Sequence, residues 1–405
     1  MNKKLDKRNL ILFFGILIWY VVKISFYKYV GFPQAITLSN FATIFAFLMF
    51  VLCAKDVFDV KRNGYISYVA IGVIISFVIS IVYWGASPYR ALQSQASGVG
   101  LLFIIVFFAL RRWRVEKSTV LYVLVTLSVI YLCIWAYSLY KMPEMVFGID
   151  RDDNYGEITA RGFYRLFIPG NVSAILSFYF LGEFLNKGKK WGIICALGML
   201  LIVILHVGRQ MIVWTILISI LMIFVHYRKH FFHVIFAAVW VCLALMYVAD
   251  KIPAVSAMME MSKEQGDDYE NDIRLEASKH YLFDYPHNPV TAIFGNGTPS
   301  QGTELAQLEK NGIVKGYYQT DVGFFAMYCN YGLWAILMFI FLLKRVAKLK
   351  VEPDYEFLKY YIYYVYGTYL MSQALTSSIF TVMMAYYVLE KSAMDLKRGN
   401  ISKYS

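Results

Sequence analysis

A chain of 405 residues that is 59% hydrophobic, 18% aromatic and only 16% charged is excluded from the water-soluble globules, whose apolar share runs at about 45 to 50%. The formal charge of +12 would suit nucleic acid if the bases shared one soluble face. They lie instead in short clusters between apolar runs, which makes them topology signals and excludes a nucleic-acid partner.

The sequence reads as an all-α, polytopic integral membrane protein forming one membrane domain. It opens with MNKKLDKRNL followed by ILFFGILIWYVV, the charge order of a secretory signal without a small-residue cleavage site, so this run is expected to remain as a first helix. Windows of about 17 to 25 apolar residues predict twelve spans: 9–27, 38–54, 65–84, 96–110, 119–140, 164–183, 191–207, 210–226, 231–249, 322–343, 357–374 and 377–390. The five cysteines, Cys53, Cys133, Cys195, Cys242 and Cys329, all fall in these spans, so neither a disulfide framework nor a metal site is expected.

With both termini in the cytoplasm, the even connections carry Lys55, Lys61 and Arg62, then Arg111, Arg112, Arg114 and Lys117, then Lys187, Lys189 and Lys190, and later Arg228, Lys229, Lys344, Arg345, Lys348 and Lys350. With the two basic tails these make 24 of the 39 Lys and Arg. The bias sets the orientation.

The longest polar run, Ala249 to Asp321, then lies on the extracytoplasmic side between the ninth and tenth spans, with six bases against twelve acids. Loops this long inside a membrane domain are functional lids, binding segments or linkers. An amphipathic helix is predicted around 271–285: Asn271 or Asp272 caps it, Ile273, Ala277 and Tyr281 form one stripe, and Pro286 and Pro289 end it. Gly295 and Gly297 are expected to let the backbone approach a ligand closely.

The outer arginines run against the charge bias and so attract attention. Arg209 interrupts HVGRQMIVW where two apolar helices meet almost without a loop. At that depth an arginine costs a few kcal/mol unless paired or facing a polar cavity; snorkelling to the headgroups is the alternative. Arg161 and Arg165 share a helix face entering the sixth span, ahead of the break at Pro169, Gly170 and Asn171. Together with Arg274 they suggest convergence on an anion of phosphate geometry. His206 lies one turn from Arg209, and His287 sits between two prolines. For a general base the candidates are Asp321, which otherwise caps the tenth span, and Glu276, one turn from His280 on the loop helix. No P-loop, HExxH or metal-spaced carboxylate pair occurs, so no cofactor is expected.

Four segments carry a resemblance: RGFYRLFIPGNVSAI, HVGRQMIVW, IRLEASKHYLFDYP followed by IFGNG, and TDVGFFAMYCNYGLWAIL. In their order they resemble the bacterial O-antigen polymerase and ligase superfamily, the Wzy-type and WaaL-type membrane glycosyltransferases, over residues 161–343. The resemblance implies a GT-C-like fold of about twelve helices in the bacterial inner membrane. It implies a glycosyltransferase that polymerises undecaprenyl-pyrophosphate-linked oligosaccharide repeat units into O-antigen or capsular polysaccharide, with a chain-length regulator as partner. By position, Arg209 and Arg274 would hold the pyrophosphate, assisted by Arg161 or Arg165. The ligase branch carries a histidine at the start of the helix after the loop, where this chain has Thr320 and Asp321. A ligase transferring glycan to lipid A core or protein, and a lipid-linked oligosaccharide flippase, are the alternatives.

Overall fold

The computed structural model describes residues 6–24, 35–97, 99–142, 144, 146–147, 172–206, 208–228, 272–285, 288–370, 372 and 374–401. It is helical, with no β-strand among these residues. The long helices are α1 (Lys7–Lys23), α2 (Ala35–Leu52), α3 (Tyr65–Val82), α6 (Lys117–Lys141), α7 (Ser173–Lys187), α8 (Lys190–Leu205), α9 (Arg209–His226), α13 (Gly323–Lys348), α14 (Phe357–Tyr369) and α15 (Ile379–Ile401). Shorter helices are α4 (Pro88–Gln95) and α5 (Ile105–Arg112), and in the long loop α10 (Ile273–Lys279), α11 (Pro289–Phe294) and α12 (Glu304–Val314).

Among the described residues three helices, α3, α6 and α13, are long and apolar enough to cross a membrane; Thr37–Leu52, Lys190–Leu205 and Gln210–His226 are shorter apolar helices. Every predicted span contains helix except 231–249, which lies outside the described residues. The fourth span departs from expectation. In place of one helix over 96–110, the chain forms α4, breaks over 96–101, then resumes through a 3-10 turn at Leu102–Ile104 into α5. Pro88 starts α4 at its first turn, with the Ser87 hydroxyl accepting from the Arg90 amide. At the break a side chain on Gly100 would overlap the Gln95 carbonyl, so the chain turns back tightly there.

The bundle centre is aromatic: Tyr131, Tyr361, Tyr364, Tyr386, Phe107, Phe178 and Phe339 are all fully buried. Where lipid surrounds such helices there is no hydrophobic drive between them, so close packing and buried hydroxyls must hold them together. Ser128 illustrates this, its hydroxyl reaching the Leu124 carbonyl of α6 at 2.9 Å and the Val172 carbonyl ahead of α7 at 3.0 Å.

A second, smaller core lies where the loop folds back. Ala277, Tyr281, Tyr285 and Leu305 of the loop pack on Val322, Ala326 and Cys329 at the start of α13. The predicted loop helix is present as α10 and a π-helical turn over His280–Asp284, capped by the Asp272 carboxylate accepting from the Arg274 amide at 2.8 Å. Ala277 and Tyr281 of the predicted stripe are buried, whereas Ile273 is 48% exposed. Pro289, expected to end this helix, instead begins α11 behind an Asn288 capping box, because a proline fits the first turn, where its missing N–H has no helical partner. Pro286 lies outside the described residues.

Candidate functional site

Helix α13 is interrupted at Gly332, whose backbone sits at φ 68° and ψ −176°. An interruption strips carbonyls one turn earlier of their helical donors, and buried carbonyls require replacements. The loop supplies them. The Asn296 amide donates to the Cys329 carbonyl at 2.7 Å and the Gly297 amide to the Asn330 carbonyl at 3.0 Å. The Ser76 hydroxyl of α3 adds a second bond to the Asn330 carbonyl at 3.0 Å. Gly295 and Gly332 face each other across this seam, and a Cβ on either would overlap the opposing backbone. The close approach anticipated for Gly295 and Gly297 is therefore to α13 and α3 of the protein itself.

The second interruption meets the first. The Tyr331 hydroxyl accepts from the Leu101 amide at 2.8 Å and donates to Gln95 Oε1 at 2.6 Å, and Gln95 Nε2 donates to the Ser76 hydroxyl at 3.2 Å. Further along, Thr298 and Ser300 meet Ser94 at 2.9 and 3.0 Å, and the Ser80 hydroxyl reaches the Thr298 carbonyl at 3.4 Å. Ser76 is six residues from the end of α3 at Val82, about 9 Å along the axis. Residues 295–300 thus form a re-entrant segment wedged beside α3, with Asn296, Thr298 and Ser300 all buried. Irregular backbone at such depth is tolerated where it is buried in protein or lines a cavity.

Above the seam sits Glu309 on α12. Its carboxylate accepts from the Tyr281 hydroxyl at 2.9 Å, the Tyr285 hydroxyl at 3.4 Å and Gln319 Nε2 at 2.8 Å. Burial pushes the Glu309 carboxyl above its ordinary range despite these donors, and desolvation together with the Glu309 charge pushes Tyr281 and Tyr285 up as well. Gln319 Oε1 in turn accepts from Asn330 Nδ2 at 2.8 Å. Sequence reasoning passed over Glu309. The available signal was its place four residues after buried Leu305 on α12, an acid on the apolar face of a helix.

Of the residues singled out in the sequence, Arg274 is half-buried, and among the described residues its guanidinium has no hydrogen-bond or ion-pair partner. Glu276 is exposed and accepts from the Tyr317 hydroxyl at 3.3 Å. Asp321 is exposed and takes a hydrogen bond from Thr320 at 3.2 Å. It does not cap α13; Val322 holds that position without a side-chain bond. His206 is buried, its ring stacked on Trp135 at 5.1 Å, with Nδ1 2.7 Å from the Ile202 carbonyl and Nε2 against the Tyr131 hydroxyl. A carbonyl only accepts, so Nδ1 carries the proton and Nε2 accepts from Tyr131; both ring nitrogens are engaged within the bundle. Arg209 opens α9, but its side chain lies outside the described residues, as do Arg161, Arg165 and His287. No cluster of metal-ligating side chains occurs among the described residues. No protein-family model matches the chain, and no curated protein matches it.

Proposed function

We propose that the protein is a membrane glycosyltransferase that polymerises polyprenyl-pyrophosphate-linked oligosaccharide repeat units at the outer leaflet of the bacterial inner membrane, within a GT-C-like bundle of about twelve spans. The observation that carries this reading is the folded loop anchored on an interrupted helix. It creates a polar seam about 9 Å from the end of α3, where irregular backbone is tolerated only beside protein or a polar cavity. Arg274 lies on the same loop, its guanidinium without a partner among the described residues and suited to bidentate pairing with a phosphate.

In the proposed reaction, a hydroxyl oxygen of one lipid-linked unit attacks the anomeric carbon of the growing chain. The bond from that carbon to the pyrophosphate oxygen breaks, and polyprenyl pyrophosphate leaves with the electron pair. Arg274 and Arg209, assisted by Arg161 or Arg165, stabilise the charge gathering on the leaving group. An exposed carboxylate, Asp321 or Glu276, takes the hydroxyl proton. Because pyrophosphate is already a good leaving group, loss of an arginine is expected to cost more than loss of the base.

The test is expression of Arg209→Ala, Arg274→Ala and Asp321→Ala in a strain lacking the native protein, with the glycan ladder read on a gel. Full-length ladders from both arginine variants at normal protein levels sink the mechanism. A second reading has its own support: two interrupted helices meeting at a polar seam are also the arrangement of secondary transporters. Purified protein that lengthens lipid-linked units in detergent, where no membrane separates compartments, excludes pure transport.

A further inference from the structure

Lys23 is the last residue of α1 and belongs neither to the seam nor to the arginines singled out in the sequence. A lysine that ends an apolar helix ordinarily snorkels outward and keeps its charge in water. This one turns inward. Its ammonium donates to the Ser377 carbonyl at 3.1 Å and lies 4.9 Å from the centre of the Phe103 ring, and Phe103 is itself buried in the bundle. Both partners belong to interrupted stretches. Phe103 follows the break over 96–101, and Ser377 ends the short helix Ala374–Ser377 that joins α14 to α15. Val99 and Thr376, from the same two stretches, stand beside Gln319 and Gly323, where the long loop returns to the helices. Lys23 therefore lies at the loop end of the bundle.

An ammonium carries three donors and a full charge on one atom. The Ser377 carbonyl takes one donor, and the face of Phe103 offsets part of the charge. Among the described residues no carboxylate lies within ion-pair distance of Lys23. Lys23 is only half-buried, so the site is open to a ligand. A cation held near membrane depth without a counter-charge marks a site whose missing partner is an anion. We infer that Lys23 binds a phosphate group of the substrate, in addition to the arginines of the proposed mechanism. The demand for an anion rests on the placement of Lys23 alone; that the phosphate belongs to a polyprenyl pyrophosphate rests on the glycosyltransferase reading. Phosphate is chosen over a sugar carboxylate because every donor of that class carries a pyrophosphate, whatever its sugars. Lys23 holds and neutralises the group and moves no proton in the reaction.

The experiment uses the full-length protein in phosphatidylcholine nanodiscs and compares wild type, Lys23→Met and Lys23→Arg. The probes are polyprenyl pyrophosphate, uncharged polyprenol, phosphatidylglycerol and inorganic pyrophosphate, with lipids read by native mass spectrometry and pyrophosphate by calorimetry. Lys23→Met is expected to weaken polyprenyl pyrophosphate about tenfold or more, since a hydrogen bond to a charged group is lost, and to leave polyprenol unchanged. Lys23→Arg keeps the charge and is expected to restore most of the loss. A parallel loss for inorganic pyrophosphate shows a site that also takes the free anion; a loss confined to the lipid-linked form assigns the phosphate to the lipid. If Lys23→Met does not fold, Lys23→Gln, which keeps a donor for the Ser377 carbonyl without the charge, is read in the same way. Unchanged affinity for polyprenyl pyrophosphate, an equal loss for polyprenol, Lys23→Arg no better than Lys23→Met, or dependence on Lys23 confined to phosphatidylglycerol each overturns the assignment. Absence of chain extension by the wild type, beside phosphate binding that depends on Lys23, sinks polymerisation and leaves the site standing. Chain extension that Lys23→Met neither slows nor weakens leaves polymerisation standing and removes Lys23 from the site.

Discussion

The two ends of the helix bundle are held in different ways. At the end where the basic connections gather, ion pairs staple neighbouring helices: Glu183 takes Lys187 and Lys189 at 2.6 Å each, Lys117 bridges Glu352 and Asp395 at 2.8 Å each, and Arg345 pairs with Glu390. At the loop end no lysine or arginine pairs with a carboxylate among the described residues, His280 Nδ1 lies 3.7 Å from Asp284, and neutral amides, hydroxyls and freed backbone groups hold the loop to the helices. Several charges at the first end are paired with one another. At the second, the half-buried Arg274 guanidinium and the buried acceptor oxygens of Asn296 and Asn330 have no hydrogen-bond partner among the described residues. Glu183 and Lys117 each hold two partners, so losing one leaves the remaining buried charge paired, and the basic end should tolerate such a substitution better than the seam.

The largest expected effect tests that contrast directly. Gly332→Val puts a side chain into the Ile293 carbonyl at a backbone conformation that L-residues rarely adopt. It should cost about 3 kcal/mol or more and release residues 289–300 from α13. Limited proteolysis of the loop together with the thermal unfolding midpoint reads this out, and a variant as protease-resistant as the wild type breaks the account of the seam. Next comes Arg274→Ala, predicted to lower the rate of chain extension about a hundredfold while moving stability by less than about 0.5 kcal/mol. An equal fall in stability and rate would recast Arg274 as a structural residue.

Glu309 sharpens the comparison through pH. Burial raises its folded-state pKa, so the folded loop binds this proton more tightly than the unfolded chain does. Its contribution is fully present below the ordinary glutamate pKa and is lost as pH rises through the raised value. Hydrogen exchange over 281–285 and 305–319 should accordingly report a less protected loop in wild type as pH climbs from acid toward that value, beyond the intrinsic exchange trend. In Glu309→Gln that dependence should flatten. Wild type and variant with identical pH profiles would remove Glu309 from the heart of the loop. The smallest effect belongs to the basic end. Lys187→Ala deletes a contact whose lysine is 38% exposed, and less than about 1 kcal/mol with unchanged chain extension is expected in the same assays.

Much of the local structure was legible. Apolar windows placed the long helices because burial in an apolar phase imprints a composition that needs no partner to be read. The Asp272 cap and the stripe through Ala277 and Tyr281 were visible because both are encoded within a few residues. The site was legible only in part. Gly295, Gly297 and Asn330 stand in segments marked out in the sequence, yet their contact partners do not, and Gln95 and Glu309 attracted no notice. The fourth span misled because SGVG between apolar runs weighs little in a hydropathy window, although it suffices to turn the chain.

The sequence by itself determined that the chain is helical, apolar along most of its length, and asymmetric in where its bases fall, since these follow from residue type and short-range order. Only the tertiary structure decided that Gly332 ends a helical segment instead of continuing it. Glycine permits both conformations, and the choice rests on donors supplied from more than thirty residues away by Asn296 and Gly297. Pairing Tyr331 with Gln95 and Leu101, and aligning the amides of Gln319 and Asn330 beneath Glu309, likewise depends on satisfying polar groups in space, a constraint that no local pattern of residues records.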